Sequence, residues 1–480
     1  MSAIPNPVRL TLLAIGYALA RVDLVSEERI RRTVDLSWPR IVTGIARMSK
    51  NAVDVAMVGT AVGGAAIGGV GLAGPYWGLA FALGGGIAAG TIALVSQRYG
   101  AEAYGELAQA IRSSVLLVVV LTLPLAALFW FLPEELIGLL TDDAATIRHG
   151  AAYLKIVGLG VPFAGLNLIG SRIFIGADDA WTPMVVRAGG AATNIGLNAV
   201  FIFGLGMGAA GAALGTVLSN AMATGVFAVL LSVRRLPGTR GFPATVSPFG
   251  SYVHRETLAD LVRISLPVIG RNATWTVARF PLLAIVAMFG PKILAAYIVA
   301  RRIRGLLNTP GWGFGLAASS LVGQELGAGD EEGAEQYGHE IVRYSVATYL
   351  VAAAIVLVFT EPIVHLFVDD PGEIDVLAAI WLVYAACASV VGQGVTSAAA
   401  GALDASGDTR WPFYSQALGM FGGVLPLAYL GATTSLGLLG LGLTFFAESG
   451  VPAAINYYRF STGKWKSISR EFRPDVAADD

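Results

Sequence analysis

The sequence predicts an all-α integral membrane protein with twelve transmembrane helices in two homologous six-helix lobes. Three observations carry that prediction. The chain is 55% hydrophobic and only 14% charged over 480 residues, with a mean hydropathy of +0.66, far from the balance of a soluble domain. Its charges gather in short stretches between long apolar runs. The chain also repeats itself.

L-S-W-P-R-I around Pro39 returns as I-S-L-P-V-I around Pro267. V-S-Q-R-Y-G-A around Gln97 returns as V-G-Q-E-L-G-A around Gln324. The turn G-A-D-D-A-W-T-P ending at Pro183 returns as A-S-G-D-T-R-W-P ending at Pro412. The paired positions are 228, 227 and 229 residues apart, so a segment of about 230 residues is duplicated. Duplicated sets of apolar spans are the usual build of secondary transporters.

A helix needs about 20 apolar residues to cross the hydrocarbon. Such windows fall at 36–59, 68–95, 112–132, 151–175, 183–204, 209–232, 261–289, 293–323, 342–368, 375–402, 411–431 and 436–459. The 60 glycines and 21 prolines are tolerable there, because small residues let membrane helices approach and neighbours re-satisfy kinked backbone. The chain therefore divides into an N-terminal cytoplasmic segment (1–32), a first lobe (33–232), a Pro-, Gly- and Arg-rich linker (233–260), a second lobe (261–460) and a tail (461–480).

Lys and Arg in short loops set orientation. Arg21, Arg29, Arg31 and Arg32, then Arg234, Arg235, Arg240, Arg255 and Arg263, then Lys464, Lys466, Arg470 and Arg473 mark the cytoplasmic side. The opposite loops are nearly bare, Arg148 and Lys292 being the exceptions. Both termini are expected in the cytoplasm, and the two lobes share one orientation across the plasma membrane. Residues 10–20 resemble a signal-peptide core with Ala18-Leu19-Ala20 as cleavage motif. Cleavage would oppose the arginine pattern, so a short helix on the cytoplasmic face is expected instead.

Several function classes drop out. A net charge of −1 gives no argument for nucleic acid. The single cysteine, Cys387, allows no intramolecular disulfide or thiolate cluster. His149, His254, His339 and His365 are scattered in or beside loops, so no metal and no cofactor is expected. A membrane-embedded enzyme would need a convergent catalytic set, and no Ser/His/Asp grouping or nucleotide motif is present. The turns 176–183 and 404–412 read as helix stops and starts. Asp142-Asp143, Asp330-Glu331-Glu332 and Asp369-Asp370 read as solvated loop faces.

A charged side chain at mid-bilayer costs about 2.5–3.5 kcal/mol on insertion scales. Arg47, Lys50 and Asp54 in the first span are spaced three and four apart, on one helical face, which cannot face lipid. Asp54 lies at a depth suited to a cation or proton site, the alternative being an ion pair with Lys50. Asn194 and Asn198, one turn apart in the fifth span, and Thr216 in the sixth supply neutral oxygens for Na⁺ or for a protonated carboxyl. In the second repeat Leu282 stands where Asp54 would recur, and Glu448 is the other deep carboxylate. Arg279, Arg301, Arg302 and Arg304 are deep cations that require an acid, a carbonyl or water.

N-A-V-D-V-A-M-V-G from Asn51, V-S-Q-R-Y-G-A from Val95, N-I-G-L-N-A-V-F-I-F-G from Asn194 and P-G-W-G-F-G-L-A-A-S-S-L-V-G-Q from Pro310 occur in order, followed by G-D-T-R-W-P-F and R-F-S-T-G-K-W. Together they resemble the multidrug and toxic compound extrusion (MATE) transporters from about Leu36 to Lys466, most of all the branch of DNA-damage-inducible and archaeal members. The resemblance implies two lobes forming a V-shaped cleft, and export of amphipathic, often cationic drugs against Na⁺ or H⁺ by alternating access. It also implies a cation site on Asp54, Asn194, Asn198 and Thr216. Asn198 departs from the family pattern, where an acid stands, Trp275 stands where another branch has Glu, and Arg47 and Lys50 replace neutral residues. Arg47, Lys50, Arg279 and Glu448 are candidates for a substrate or charge network, and Pro39 for helix bending. The cargo would be small drug-like molecules, the surroundings membrane lipid, and the complete two-lobe chain a working monomer. The alternative within the same superfamily is a lipid-linked oligosaccharide flippase, whose pyrophosphate headgroup would suit the internal arginines.

Overall fold

The computed structural model describes residues 6–233, 241–365 and 374–474. Of the residues named above, Arg234, Arg235, Arg240, Asp369 and Asp370 lie outside the described residues. The described chain is helical, from α1 (Pro7–Ala20), α2 (Glu27–Val62), α3 (Gly64–Gly100), α4 (Tyr104–Phe131) and α5 (Pro133–Gly138) to α6 (Ala144–Leu159) and α7 (Val161–Gly176). There follow α8 (Trp181–Ala199), which ends in a π turn at Val200–Gly204, α9 (Gly208–Val233), α10 (Arg255–Ala287), α11 (Pro291–Leu307), α12 (Thr309–Gly327) and α13 (Glu331–Val358). The last are α14 (Thr360–His365), α15 (Val376–Ala405), α16 (Arg410–Ala417), a π segment at Leu418–Val424, α17 (Leu425–Thr433), α18 (Gly437–Ser461) and α19 (Trp465–Ser469).

These helices account for the twelve expected crossings. Seven described helices are long and apolar enough to span a membrane on their own, and α6–α7, bent by 49°, makes an eighth. The other crossings are α2, α10, α11–α12 and α16–α17. The first three carry internal Arg, Lys, Asp or Asn, which lowers their hydropathy below that of an ordinary span.

Short side chains start several helices. Asn6 accepts from Val8 and Arg9 N–H at α1, Asp143 from Thr146 N–H at α6, Asp330 from Gly333 N–H at α13, and Asp375 from Ala378 N–H at α15. Each satisfies an orphan donor of a first turn. Thr146 hydrogen bonds hold the Asp143 carboxyl below its ordinary pKa. Two of the acidic stretches expected to be plain solvated loops therefore do structural work. Glu331 goes further and takes two bonds from Arg470 (2.8 Å each) and one from Arg473 (2.9 Å), pinning the tail.

The chain forms two compact units, Val42–Ile269 and Met1–Ile41 with Gly270–Asp480. In the first unit, α3 packs against α4, α6 and α7, and α9 closes on α6, α7 and α8. Phe174 is the pivot of its core, edge-on to Phe242 at 5.0 Å and tilted on Phe227 at 5.8 Å. The opening turns of α10 belong to this unit. They lie so close to α3 that a Cβ on Gly86 would meet Ile269 Cγ1 at 2.3 Å.

In the second unit, α15 is central and packs against α11, α12, α13 and α18. Tyr297 stacks on Phe445 at 5.5 Å. The turn after α15 is held by Arg271–Asp404 (2.7 Å) and Arg459–Asp408 (2.6 Å). Helix α1 lies along α13, where the Tyr344 hydroxyl donates to the Leu12 carbonyl (2.8 Å). The first turns of α2 belong here too, and a Cβ on Gly313 of α12 would meet the Ser37 carbonyl at 2.8 Å. Gly313 lies 227 residues after Gly86, so the same repeat position admits the same close approach.

Candidate functional site

The first unit contains a continuous polar network. On α2, the 3,4 spacing puts Lys50 and Asp54 on one face, and Lys50 Nζ lies 2.6 Å from Asp54 Oδ2. Asp54 Oδ1 accepts from Asn198 Nδ2 of α8 at 2.9 Å. The same Nδ2 contacts Asn194 Oδ1 at 3.3 Å, and Asn194 Nδ2 donates to Thr216 Oγ1 of α9 at 3.3 Å. All four residues read from the sequence as a cation site thus meet, with Lys50 added. Asn194 and Asn198 are fully buried, whereas the side chains of Lys50 and Asp54 retain 17% and 19% exposure, so the acid end of the network is the reachable end.

The details limit what this set can hold. The Asp54 carboxylate is already matched by a tethered ammonium on one oxygen and an amide on the other. Among the described residues Asn198 Oδ1 is buried without a hydrogen-bond partner, and it faces Gly215, where a Cβ would lie 2.0 Å from it. Only glycine leaves room for this amide. Tyr153 of α6 stands within electrostatic reach of Asp54. Asn220, one turn beyond Thr216, bonds the Thr216 carbonyl (2.9 Å) and receives Asn167 Nδ2 (3.2 Å). One carboxylate plus amide and hydroxyl oxygens would suit a small monovalent cation or a proton, provided that Lys50 withdraws.

In the second unit Glu448 is 5% exposed and is held by Arg301 Nη1 (2.8 Å), Arg304 Nη1 (2.8 Å) and Trp275 Nε1 (3.3 Å). Arg279 joins through the Trp275 ring, 5.7 Å from its centroid. Arg302, one position away, is exposed. Arg47, on the α2 face of Lys50, lies 5.7 Å from the Phe81 ring centroid. Pro39 is inside α2. It has no N–H to give the Asp35 carbonyl, and the unit boundary follows two residues later, at Ile41.

Sequence reasoning overlooked Arg172 and Arg187, which lie within the expected fourth and fifth spans. The signal was there: Arg187, Asn194 and Asn198 follow helical spacing of seven and four, on one face of α8.

The MatE family model matches residues 39–200 and again 267–430. The chain belongs to the MatE family. Each matched stretch falls within one copy of the repeat, and the two starts lie 228 residues apart. Among curated relatives, this MatE protein is 26% identical over 438 residues to the probable multidrug resistance protein NorM of Mesorhizobium japonicum, covering 88% of this chain and 91% of the relative. It is 26% identical over 412 residues to the multidrug resistance protein PmpM of Pseudomonas aeruginosa, covering 85% and 84%. Its fold is that of solved MATE transporters. One, described as the outward-facing conformation of a multidrug resistance MATE family transporter of the MOP superfamily, superposes with a TM-score of 0.81 at 22% identity, covering 92% of this chain and 96% of the other. MatE proteins are transporters, so this chain is not an enzyme.

Proposed function

We propose that this protein is a secondary active exporter of amphipathic drug-like molecules, moving them against Na⁺ or H⁺ by alternating access, with coupling at Asp54. The carrying observation is the convergence of Asp54, Asn198, Asn194 and Thr216 around one partly reachable carboxylate. Relatives that are named for multidrug resistance support the drug-like cargo. The protein works as a monomer in the plasma membrane with both termini cytoplasmic. The repeats at 33–232 and 261–460 move as lobes, joined by 233–260.

Lys50 gives the coupling a physical form. Its ammonium occupies the cation's place against Asp54 Oδ2, so an entering cation or proton must displace it. Asn198 and Asn194 then offer neutral oxygens to the newcomer, and α2 relaxes at the missing hydrogen bond before Pro39. Arg279 and Glu448 form a charge network in the second repeat that shapes the cargo path.

Proteoliposomes loaded with a transported dye and subjected to separate Na⁺ and H⁺ gradients test the reading. Wild type is expected to respond to one gradient, and Asp54→Asn to lose about tenfold or more of the driven rate, the size of a lost charge-assisted bond. Equal gradient-driven transport by both proteins would remove Asp54 from coupling.

A further inference from the structure

The polar lane of the first unit is strongly unbalanced in charge. Arg172 on α7 and Arg187 on α8 lie within electrostatic reach of Arg47 on α2, which shares its helical face with Lys50 and Asp54. Lys50 and Asp54 neutralise each other, so Asp54 is not the counter-charge of Arg172 and Arg187. Arg172 lies within electrostatic reach of both Arg187 and Arg47, and Arg187 within reach of Arg47, with no carboxylate among the described residues acting on Arg172 or Arg187. Nη1 of Arg172 and Nη1 of Arg187 are buried without a hydrogen-bond partner among the described residues.

Several arginines elsewhere in the chain meet an acid or a carbonyl. Arg98 pairs with Glu106 (3.6 Å), Arg271 with Asp404, Arg459 with Asp408, and Arg112 donates to the Ser251 carbonyl (2.9 Å). A guanidinium kept for packing finds such a partner, because leaving it unmatched in the hydrocarbon is costly. Two adjacent unmatched guanidiniums beside a third are a counter-charge site, and their planar forks match carboxylate and phosphate oxygens bidentately.

We propose that Arg172 and Arg187, with Arg47, form a subsite for the anionic group, carboxylate or phosphate, of an amphipathic molecule carried by this protein. The inference rests on the exporter reading and assigns its cargo class: anionic amphipaths rather than cations. Arg187 shares the α8 face of Asn194 and Asn198, and Arg47 the α2 face of Lys50 and Asp54, so cargo and coupling cation would occupy two ends of one lane.

The test uses the full chain in nanodiscs of phosphatidylcholine, titrated calorimetrically with dodecyl phosphate and, separately, with dodecyltrimethylammonium. The anion is expected to bind about tenfold or more tightly than the cation, and Arg172→Gln/Arg187→Gln to lose that preference while Arg187→Lys keeps part of it. If the double variant does not fold, the wild-type contrast between the two amphiphiles decides by itself. Equal binding, a preference for the cation, or an unchanged anion preference in a folded double variant would overturn the subsite. Competition by inorganic phosphate would identify a soluble anion as occupant, and competition by phosphatidylglycerol in the nanodisc a lipid headgroup, and either supports the subsite. Dye efflux from cells tests the exporter reading separately. Efflux with no anion preference overturns the subsite alone, and anion preference without efflux overturns the exporter alone.

Discussion

Gly215 shows how one residue sets the geometry of the network. Its missing Cβ is what lets the Asn198 amide reach Asp54, since the added atom would sit 2.0 Å from Asn198 Oδ1. Gly215→Ala is therefore expected to push that amide away and weaken a hydrogen bond to a charged group, at about 1.5–3 kcal/mol. Thermal unfolding in detergent together with gradient-driven transport checks it, and an alanine variant matching wild type in both would show that the bond is dispensable. The four residues that meet here were named from the sequence because an acid, two amides one turn apart and a hydroxyl stand inside apolar spans, and because the family resemblance implies a site on them. Spacing alone did not show that they converge. The occupancy of Asp54 by Lys50 was legible as one of two alternatives. The unmatched pair Arg172 and Arg187 was not, because their isolation depends on which helices pack together, and spacing along one helix carries no such information.

Among the elements, α10, α11 and α18 are tied by Glu448, which answers two guanidiniums and an indole. Glu448→Gln would leave Arg301 and Arg304 facing a neutral amide, and removing one partner of a buried ion cluster costs about 3–5 kcal/mol. Glu331→Gln, on the exposed tail contact, should cost under about 1 kcal/mol for each pair lost. Comparing the two melting curves against wild type checks the ranking, and similar shifts would mean that Glu448 is not the stronger tie. Twelve crossings were readable from hydropathy, yet four of them carry charge, polar residues or breaks that no apolar window describes. Their helices exist because partners within each unit satisfy what the lipid would not. The bend between α6 and α7 lies at Gly160, followed by Pro162, a break that the sequence marks without giving its angle.

For the whole molecule, repeat and unit are different things. The repeat was plain from three anchors, but Met1–Ile41 packs with Gly270–Asp480, and the opening turns of α10 pack with Val42–Ile269. No local pattern announces such an exchange, because the apolar faces involved read like any other. Two fragments separated within 234–240 would each lack a helix start that completes the unit they form. They are expected to be unstable when expressed singly and to restore a stable, transporting protein when expressed together. A fragment 1–236 that is stable alone would contradict this. The exchange also fixes an order of assembly. As the chain leaves the ribosome, α1 and the first turns of α2 have each other but not the rest of their unit, which begins at Gly270, more than 220 residues after Ile41. Membrane insertion of this protein must therefore hold its amino-terminal end in waiting while the contiguous unit Val42–Ile269 is completed, and the other unit closes only after the second repeat is made.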